Sequence, residues 1–144
     1  MPLPDFQGRW IYRSFRPREG APSRPDPKNP TGPSLPPRPA DLVANWAESA
    51  TLDVTTDSAG AVSGTLTIIP GQLVLKVTGH VTPGDGGRIL PGIQLIGEVG
   101  NSKNTIRGYF IPDTNVIVGT VLATQGDPAL APDGTAGPFV LVKQ

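Results

Sequence analysis

Short apolar runs follow one another along most of this chain, from Thr51 to Val142, and a single glycine interrupts most of them near the middle. Such glycines lie within five successive runs, and a further one opens the first run: Gly64, Gly79, Gly97, Gly108 and Gly119, with Gly8 at the start. Glycine weakens a flat strand because it has no side chain to pack. Its recurrence at this interval predicts sharp bends or close backbone approach, as where a sheet coils into a barrel.

The residues that the chain lacks exclude several kinds of chemistry. A length of 144 residues predicts one domain, covering 1–144, that can bury a core without cross-links. Cysteine is absent, which excludes disulfides and thiolate ligands. The single histidine, His80, cannot form a multi-histidine metal site unless subunits share it, and we expect it on the outer surface or at the rim. The sequence therefore predicts no metal and no cofactor.

Charge and hydropathy bound the partners and the location. The net charge at pH 7 is zero, which argues against a nucleic-acid partner. No apolar run approaches the roughly 18 residues that span a bilayer, and no basic and apolar leader opens the chain. We therefore expect neither a membrane anchor nor a secretory signal, and a cytoplasmic location.

Eight runs rich in β-branched and aliphatic residues predict eight β-strands, at 8–15, 51–56, 61–69, 72–81, 92–99, 104–111, 116–124 and 138–143. Most connections are short and carry the residues of hairpin turns, so sequential strands are expected to be antiparallel neighbours. A sheet of eight twisted strands with one apolar face closes on itself most easily, which also removes its edges. The predicted fold is all-β, a single eight-stranded antiparallel up-and-down β-barrel, with a β-sandwich as the alternative.

A proline-rich insertion, residues 16–41, follows the first strand. Prolines stand three apart within it, at Pro27, Pro30, Pro33, Pro36 and Pro39. A polyproline II helix has three residues per turn, so this register predicts a stiff segment with all five rings on one edge. We expect residues 17–39 to be ordered against the barrel, as a lid over one mouth, an arm on a neighbouring subunit or an insertion on the wall. The alternative is a ligand for a proline-recognising partner.

A short helix is predicted at 42–49, between the insertion and the second strand. Val43, Trp46, Ala47 and Ala50 fall at helical spacing, and Asp41 precedes them as a cap. We expect this helix to seal one end of the barrel.

Alternation along the first strand selects the face that points inward. Trp10, Tyr12 and Ser14 share one face, whereas Arg9 and Arg13 lie on the other. Because two arginines favour solvent, the face with Trp10 is expected inside. Trp10 is then predicted to plug the closed end of the barrel.

The sixth strand leaves its inner face open. Arg107 and Tyr109 share one face, opposite Ile106, Gly108 and Phe110. If Arg107 and Tyr109 point inward, they offer a fixed cation and a phenolic donor to a carboxylate or carbonyl in the cavity. If they point outward, they are an ordinary exposed pair.

A few short motifs resemble a known family. The chain opens a strand with Gly8-Arg9-Trp10 and carries Gly-Thr pairs at Gly64-Thr65 and Gly119-Thr120 within eight antiparallel strands, which resembles the small calycin-type barrels and, among them, the avidin and streptavidin fold. In that family several tryptophans line the biotin site, and first-strand polar residues reach the ligand. Tyr12 and Ser14 stand in the corresponding positions here, but the chain has only two tryptophans and none in a late strand. The resemblance implies the fold more than the ligand.

The leading functional hypothesis is binding of a small, largely apolar molecule in the barrel cavity. The candidate ligand-binding residues are Trp10, Tyr12, Ser14, Trp46, Arg107 and Tyr109. One alternative is a metal-free cyclase or isomerase that folds a reactive apolar substrate inside the barrel, with no catalytic residue identified. A second alternative is an interaction module that uses the proline-rich arm, and a homo-oligomer is also left open. A cavity above roughly 300 Å³ favours binding or catalysis, and a packed interior favours the interaction module.

Overall fold

The computed structural model describes residues 3–17, 25–36, 43–69, 73–125 and 134–144. These residues form eight β-strands: β1 (Gly8–Pro17), β2 (Val43–Thr56), β3 (Ala61–Ile69), β4 (Leu73–Thr82), β5 (Gly92–Val99), β6 (Ser102–Phe110), β7 (Val116–Gln125) and β8 (Ala136–Lys143). Each strand pairs antiparallel with its neighbour in the chain, and β8 closes onto β1. The closed up-and-down barrel confirms the predicted fold class and excludes the sandwich. No helix long and apolar enough to cross a membrane occurs in the described ranges.

The predicted helix at 42–49 is wrong, because β2 runs through this stretch from Val43 onward. The ladder between β1 and β2 contains two register shifts there: Tyr12 pairs with Ala50 and Ser14 with Ala47. A bulge places an extra residue in one strand, so consecutive inward side chains stand three apart instead of two. Ala47 and Ala50 are both buried at this spacing. The bulged strand therefore has buried residues at the spacing that is typical of a helix. Asp41, the predicted cap, lies outside the described residues.

Three of the strand glycines allow neighbouring backbones to approach closely, as predicted, whereas Gly8 and Gly97 contact only side chains. A Cβ atom added to Gly64 would overlap the backbone of Asp53 and Val54 on β2, and one added to Gly119 would overlap the backbone of β6. Gly79 stands in the same relation to β5. These positions face the interior, between larger side chains on the same strands, so glycine lets the sheet coil tightly enough to close.

The two ends of the barrel differ. Where β1 begins, the rings of Phe6, Trp10 and Phe110 form a cluster with centroids between 5.4 and 6.3 Å apart. Phe6 belongs to the segment before β1 and is fully buried. We call this the closed end. The opposite end, where β1 stops and β2 begins, is called the open end.

The described part of the proline-rich insertion, residues 25–36, is not a polyproline II helix along 26–32. Two consecutive turns are closed there by backbone bonds, from Asn29 N–H to the Asp26 carbonyl and from Gly32 N–H to the Asn29 carbonyl, whereas polyproline II has no internal hydrogen bonds. The prolines at 27, 30, 33 and 36 are exposed, so the expected burial of one proline edge against the chain's own barrel is wrong for these four. The arm on a neighbouring subunit stays a prediction. Pro39 lies outside the described residues.

Candidate functional site

A half-open pocket of about 40 Å³ lies inside the barrel, in the half nearer the open end. Its walls are aliphatic side chains from β3, β4, β6 and β7: Leu66, Ile68, Leu75, Ile106 and Val121. Three polar side chains reach the same space, Tyr12 and Ser14 from β1 and Asn104 from β6. The arrangement is an apolar cavity with a few convergent polar groups, which is typical of small-molecule sites.

Tyr12 offers a neutral phenol to the pocket. Its ring is only 3% exposed and stacks on Phe139 at 5.7 Å between centroids. Burial disfavours the phenolate and raises the pKa of Tyr12 to about 12, although a hydrogen bond with Ser14 acts in the opposite direction. The hydroxyl is therefore protonated at neutral pH and can donate to a carbonyl or ether oxygen.

Ser14 is buried as predicted, and it also supports the backbone. Its Oγ accepts a hydrogen bond from the Ala47 N–H at 3.2 Å, at the place where the β1–β2 ladder is bulged. A buried amide without a partner is costly, so this bond stabilises the bulge. The bulge in turn positions Trp46, which is half-buried and lines the pocket.

Asn104 is the pocket residue that sequence reasoning missed. It is half-buried and pairs with Ala123 of β7. Asn104 lies two residues before Ile106, so it shares the face of β6 that also carries Gly108 and Phe110. Had that face been assigned to the interior, alternation alone would have placed Asn104 in the pocket.

Trp10 is buried as predicted, but it does not line the pocket. Its Nε1–H donates to the Phe6 carbonyl at 2.9 Å, within the aromatic cluster of the closed end. The Lys143 ammonium lies 5.4 Å from the centroid of the Trp10 ring and donates to the Gln7 carbonyl at 2.7 Å. Trp10 therefore closes one end of the barrel, and the pocket lies in the other half.

Arg107 and Tyr109 point outward, so their expected contribution to the cavity is wrong. Tyr109 is 53% exposed and Arg107 is also exposed, whereas Ile106 on the opposite face is buried. The pair borders a separate half-open hollow of about 110 Å³ on the outer wall, next to Gln94 and Gly92. Phe110 and Gly108 take the inner positions on this strand because Gly108 leaves room for the Phe139 ring.

Charge is absent from the lining of the pocket, which consists of aliphatic, aromatic, hydroxyl and amide side chains. Across the described part of the chain, no group of three or more His, Cys, Asp or Glu side chains is placed to hold a metal ion. The site can therefore exclude water and donate or accept hydrogen bonds, using neutral groups only.

No family model, curated protein or solved structure matches this chain.

Proposed function

We propose that the protein binds a small, neutral, largely apolar molecule at the open end of the barrel. The observation that carries the proposal is the convergence of Tyr12, Ser14 and Asn104 on one apolar pocket, in the half of the barrel that Trp10 does not close. The aliphatic walls contribute the hydrophobic free energy, and the polar groups orient the ligand. Tyr12 and Ser14, which stand where the avidin-type barrels carry polar ligand contacts, lie in this half of the barrel, whereas the Gly8-Arg9-Trp10 motif lies at the closed end.

The size of the pocket limits what enters it. About 40 Å³ accommodates a few heavy atoms, well below the roughly 300 Å³ of pockets that enclose a whole drug-sized ligand. The ligand therefore inserts one end, such as a carbonyl and its adjoining carbons, and leaves the rest at the half-open mouth. The same volume argues against the cyclase or isomerase alternative, which needs room to fold a substrate. By the criterion of roughly 300 Å³ given above, the volume is also too small to enclose a whole ligand, so the binding proposal is limited to insertion of one end of the molecule, and the interaction-module alternative gains over the enzyme.

The chemistry of the pocket also predicts selectivity. Tyr12 can donate to a neutral acceptor, and no cation lines the space to compensate an anion. An anionic group would lose its hydration without a partner, so ligands that carry a carboxylate on the inserted end should be rejected.

A titration with three related rings tests the proposal. Cyclohexanone carries an acceptor, methylenecyclohexane lacks one, and cyclohexanecarboxylate is charged. We expect cyclohexanone to shift the backbone amide resonance of Ala47 and the side-chain amide of Asn104 in NMR spectra, both of which lie at the pocket. Methylenecyclohexane should bind more weakly, and cyclohexanecarboxylate should not bind.

The chain has two tyrosines, which provide a matched pair of variants. Tyr12→Phe should raise the dissociation constant of cyclohexanone roughly 2- to 10-fold and leave that of methylenecyclohexane unchanged, because only the hydrogen bond is lost. Tyr109→Phe, on the outer wall, should change neither. The proposal fails if cyclohexanone shifts no pocket resonance, or if both variants weaken its binding equally.

A further inference from the structure

The outer wall formed by β7 and β8 is unusually apolar. Val118 and Val142 are 38% and 37% exposed, and the neighbouring Ile11 on β1 is 44% exposed. The outward residues next to Val118 and Val142 on the same two strands are also uncharged, so the middle of this wall carries no charge. They are Val116, Thr120, Pro138 and Val140. Strands that are apolar on both faces are usually covered on both faces.

The opposite wall of the same barrel differs. The outward side chains of β2, β3 and β4 are mostly polar, although this wall also carries one exposed valine, Val74, at 49%. The polar ones include Asp53, Thr55, Thr65, Lys76 and Thr78. The two walls belong to the same barrel but differ in composition. This difference indicates that they have different surroundings, solvent on the polar side and a covering surface on the apolar side.

The apolar wall is arranged in rows that read nearly the same in both directions. In one row, Ile111 N–H donates to the Val116 carbonyl at 2.9 Å, Val116 pairs with Val142, and Val142 pairs with Ile11. Across the four strands this row is Ile, Val, Val, Ile. Its centre lies between β7 and β8.

The next row has the same centre and complementary ends. Tyr109 pairs with Val118, Val118 with Val140, and Val140 with Arg13. Tyr109 is 53% exposed, and the Arg13 guanidinium lies on the outer wall, over the ring of Phe15. The ring of Tyr109 on β6 and the guanidinium of Arg13 on β1 thus flank the two central strands, one on each side.

We propose that a second copy of this chain covers the wall, with a two-fold axis running along the strands between β7 and β8. This axis places Val118 of one copy against Val140 of the other, and Val116 against Val142. It also places Tyr109 against Arg13, twice, as cation–π pairs at the rim. The barrel curves away from the contact at β6 and β1, and Tyr and Arg are long enough to bridge the wider gap there.

The pattern favours a second copy over other partners. An isologous interface must be complementary to itself, and rows that reverse about one line meet this requirement. The uncharged centre offers nothing to a highly charged partner such as a nucleic acid. Face-to-face packing of two sheets with β-branched side chains is a standard arrangement, with the sheets about 10 Å apart.

Sedimentation equilibrium of the full chain tests this proposal. We expect a particle of twice the 15.0 kDa chain mass. Val118→Lys should raise the dimer dissociation constant at least about a hundredfold, because it buries two charges in the centre of the contact. Thr78→Lys is the matched control on the opposite wall and should leave the constant unchanged. Circular dichroism of both variants should be that of the folded barrel.

A swap of the rim pair tests the axis itself. Tyr109→Arg and Arg13→Tyr should each weaken the dimer roughly tenfold, since each loses both cation–π pairs. The double variant exchanges the two side chains and should restore the dimer, because the axis brings the exchanged residues together again. A wild-type chain that stays monomeric at millimolar concentration overturns the proposal, as does a dimer that Val118→Lys leaves intact. A double variant no better than the single ones overturns the assigned axis.

Discussion

The Ser14 hydroxyl on β1 holds the Ala47 amide on β2, at 3.2 Å, within the stretch where the ladder between these strands is bulged. One side chain thus connects the local backbone to the pocket. Ser14 and Ala47 both line that space, and Trp46 follows the same bulge. Loss of this hydrogen bond should lower the free energy of unfolding and speed hydrogen exchange at the Ala47 amide.

Ser14→Ala should lower the free energy of unfolding by about 1–3 kcal/mol, because it leaves the Ala47 N–H buried without a partner. Hydrogen exchange of the Ala47 amide should become faster in the variant. Ser63→Ala is the matched control, since Ser63 lies exposed on the outer wall beside Thr55, and it should change stability by less than about 0.5 kcal/mol. Unchanged exchange at Ala47 in Ser14→Ala would contradict the role assigned to Ser14.

Trp10→Ala should cost about 3–5 kcal/mol of stability, because a buried ring is lost from the closed end and leaves a cavity. Trp46→Ala removes the other tryptophan, which is half-buried at the pocket, and should cost less. Urea unfolding of the two variants measures both effects. Similar losses for the two would show that the ends of the barrel are not distinct in the way described.

The raised pKa of Tyr12 predicts a loss of stability at high pH. The unfolded chain releases this proton near pH 10, whereas the folded chain holds it until about pH 12. The folded state therefore binds more protons between these values, and the Tyr12 contribution falls as pH rises from 10 toward 12, by roughly 2–3 kcal/mol in total. Below pH 10 the contribution is constant.

Chemical unfolding of the wild type and Tyr12→Phe between pH 9 and 12 isolates this contribution. The free energy of unfolding of the wild type minus that of Tyr12→Phe should decrease as pH rises from 10 toward 12, whatever its value at pH 9, because the variant has no phenol to ionise at this site. Tyr109→Phe should follow the wild type. A wild type and a Tyr12→Phe variant with parallel pH profiles would show that Tyr12 is not buried as described.

Gly119→Ala should destabilise the barrel by more than about 2 kcal/mol, since its Cβ would meet the backbone of Arg107 and Gly108 on the adjacent strand. Gly87→Ala is a control, because no atom lies within 4 Å of the added Cβ. Thermal unfolding of the two variants gives the comparison. Equal melting temperatures would contradict the close approach of β6 and β7.

The alternation of polar and apolar residues predicted the fold. It also predicted part of the candidate site, on strands whose two faces differ clearly in polarity. On β1, the arginines at 9 and 13 mark the outer face, so the burial of Trp10, Tyr12 and Ser14 followed directly. The recurring glycines likewise predicted close approach between strands, because a residue without a side chain lets the neighbouring backbone come nearer.

The pattern failed where that contrast disappears. On β6, Tyr109 stands on the outer face and Phe110 on the inner face, and hydropathy cannot separate two aromatic rings. Tyr109 pairs with Val118 on β7, whose outer face is also apolar, so its neighbour across the hairpin does not mark the outer face either. The pocket volume is equally beyond alternation, since it depends on how side chains from six strands interdigitate.

The β1–β2 bulge could not be predicted from the sequence, for a different reason. A strand with an extra residue spaces its inward side chains by three, and the alanines at 47 and 50 gave the period of a helix. The hydroxyl of Ser14 that supports the bulge lies 33 positions away in the chain. No local pattern could have indicated it.

Intermolecular NOEs between cyclohexanone and the methyl groups of the protein locate the bound ligand without relying on any variant. We expect NOEs to the methyl groups of Leu75, Ile106 and Val121, which wall the pocket near the open end. NOEs confined to the exposed methyl groups of Val118 and Val142 on the outer wall, or no NOEs at saturating ligand, would contradict it.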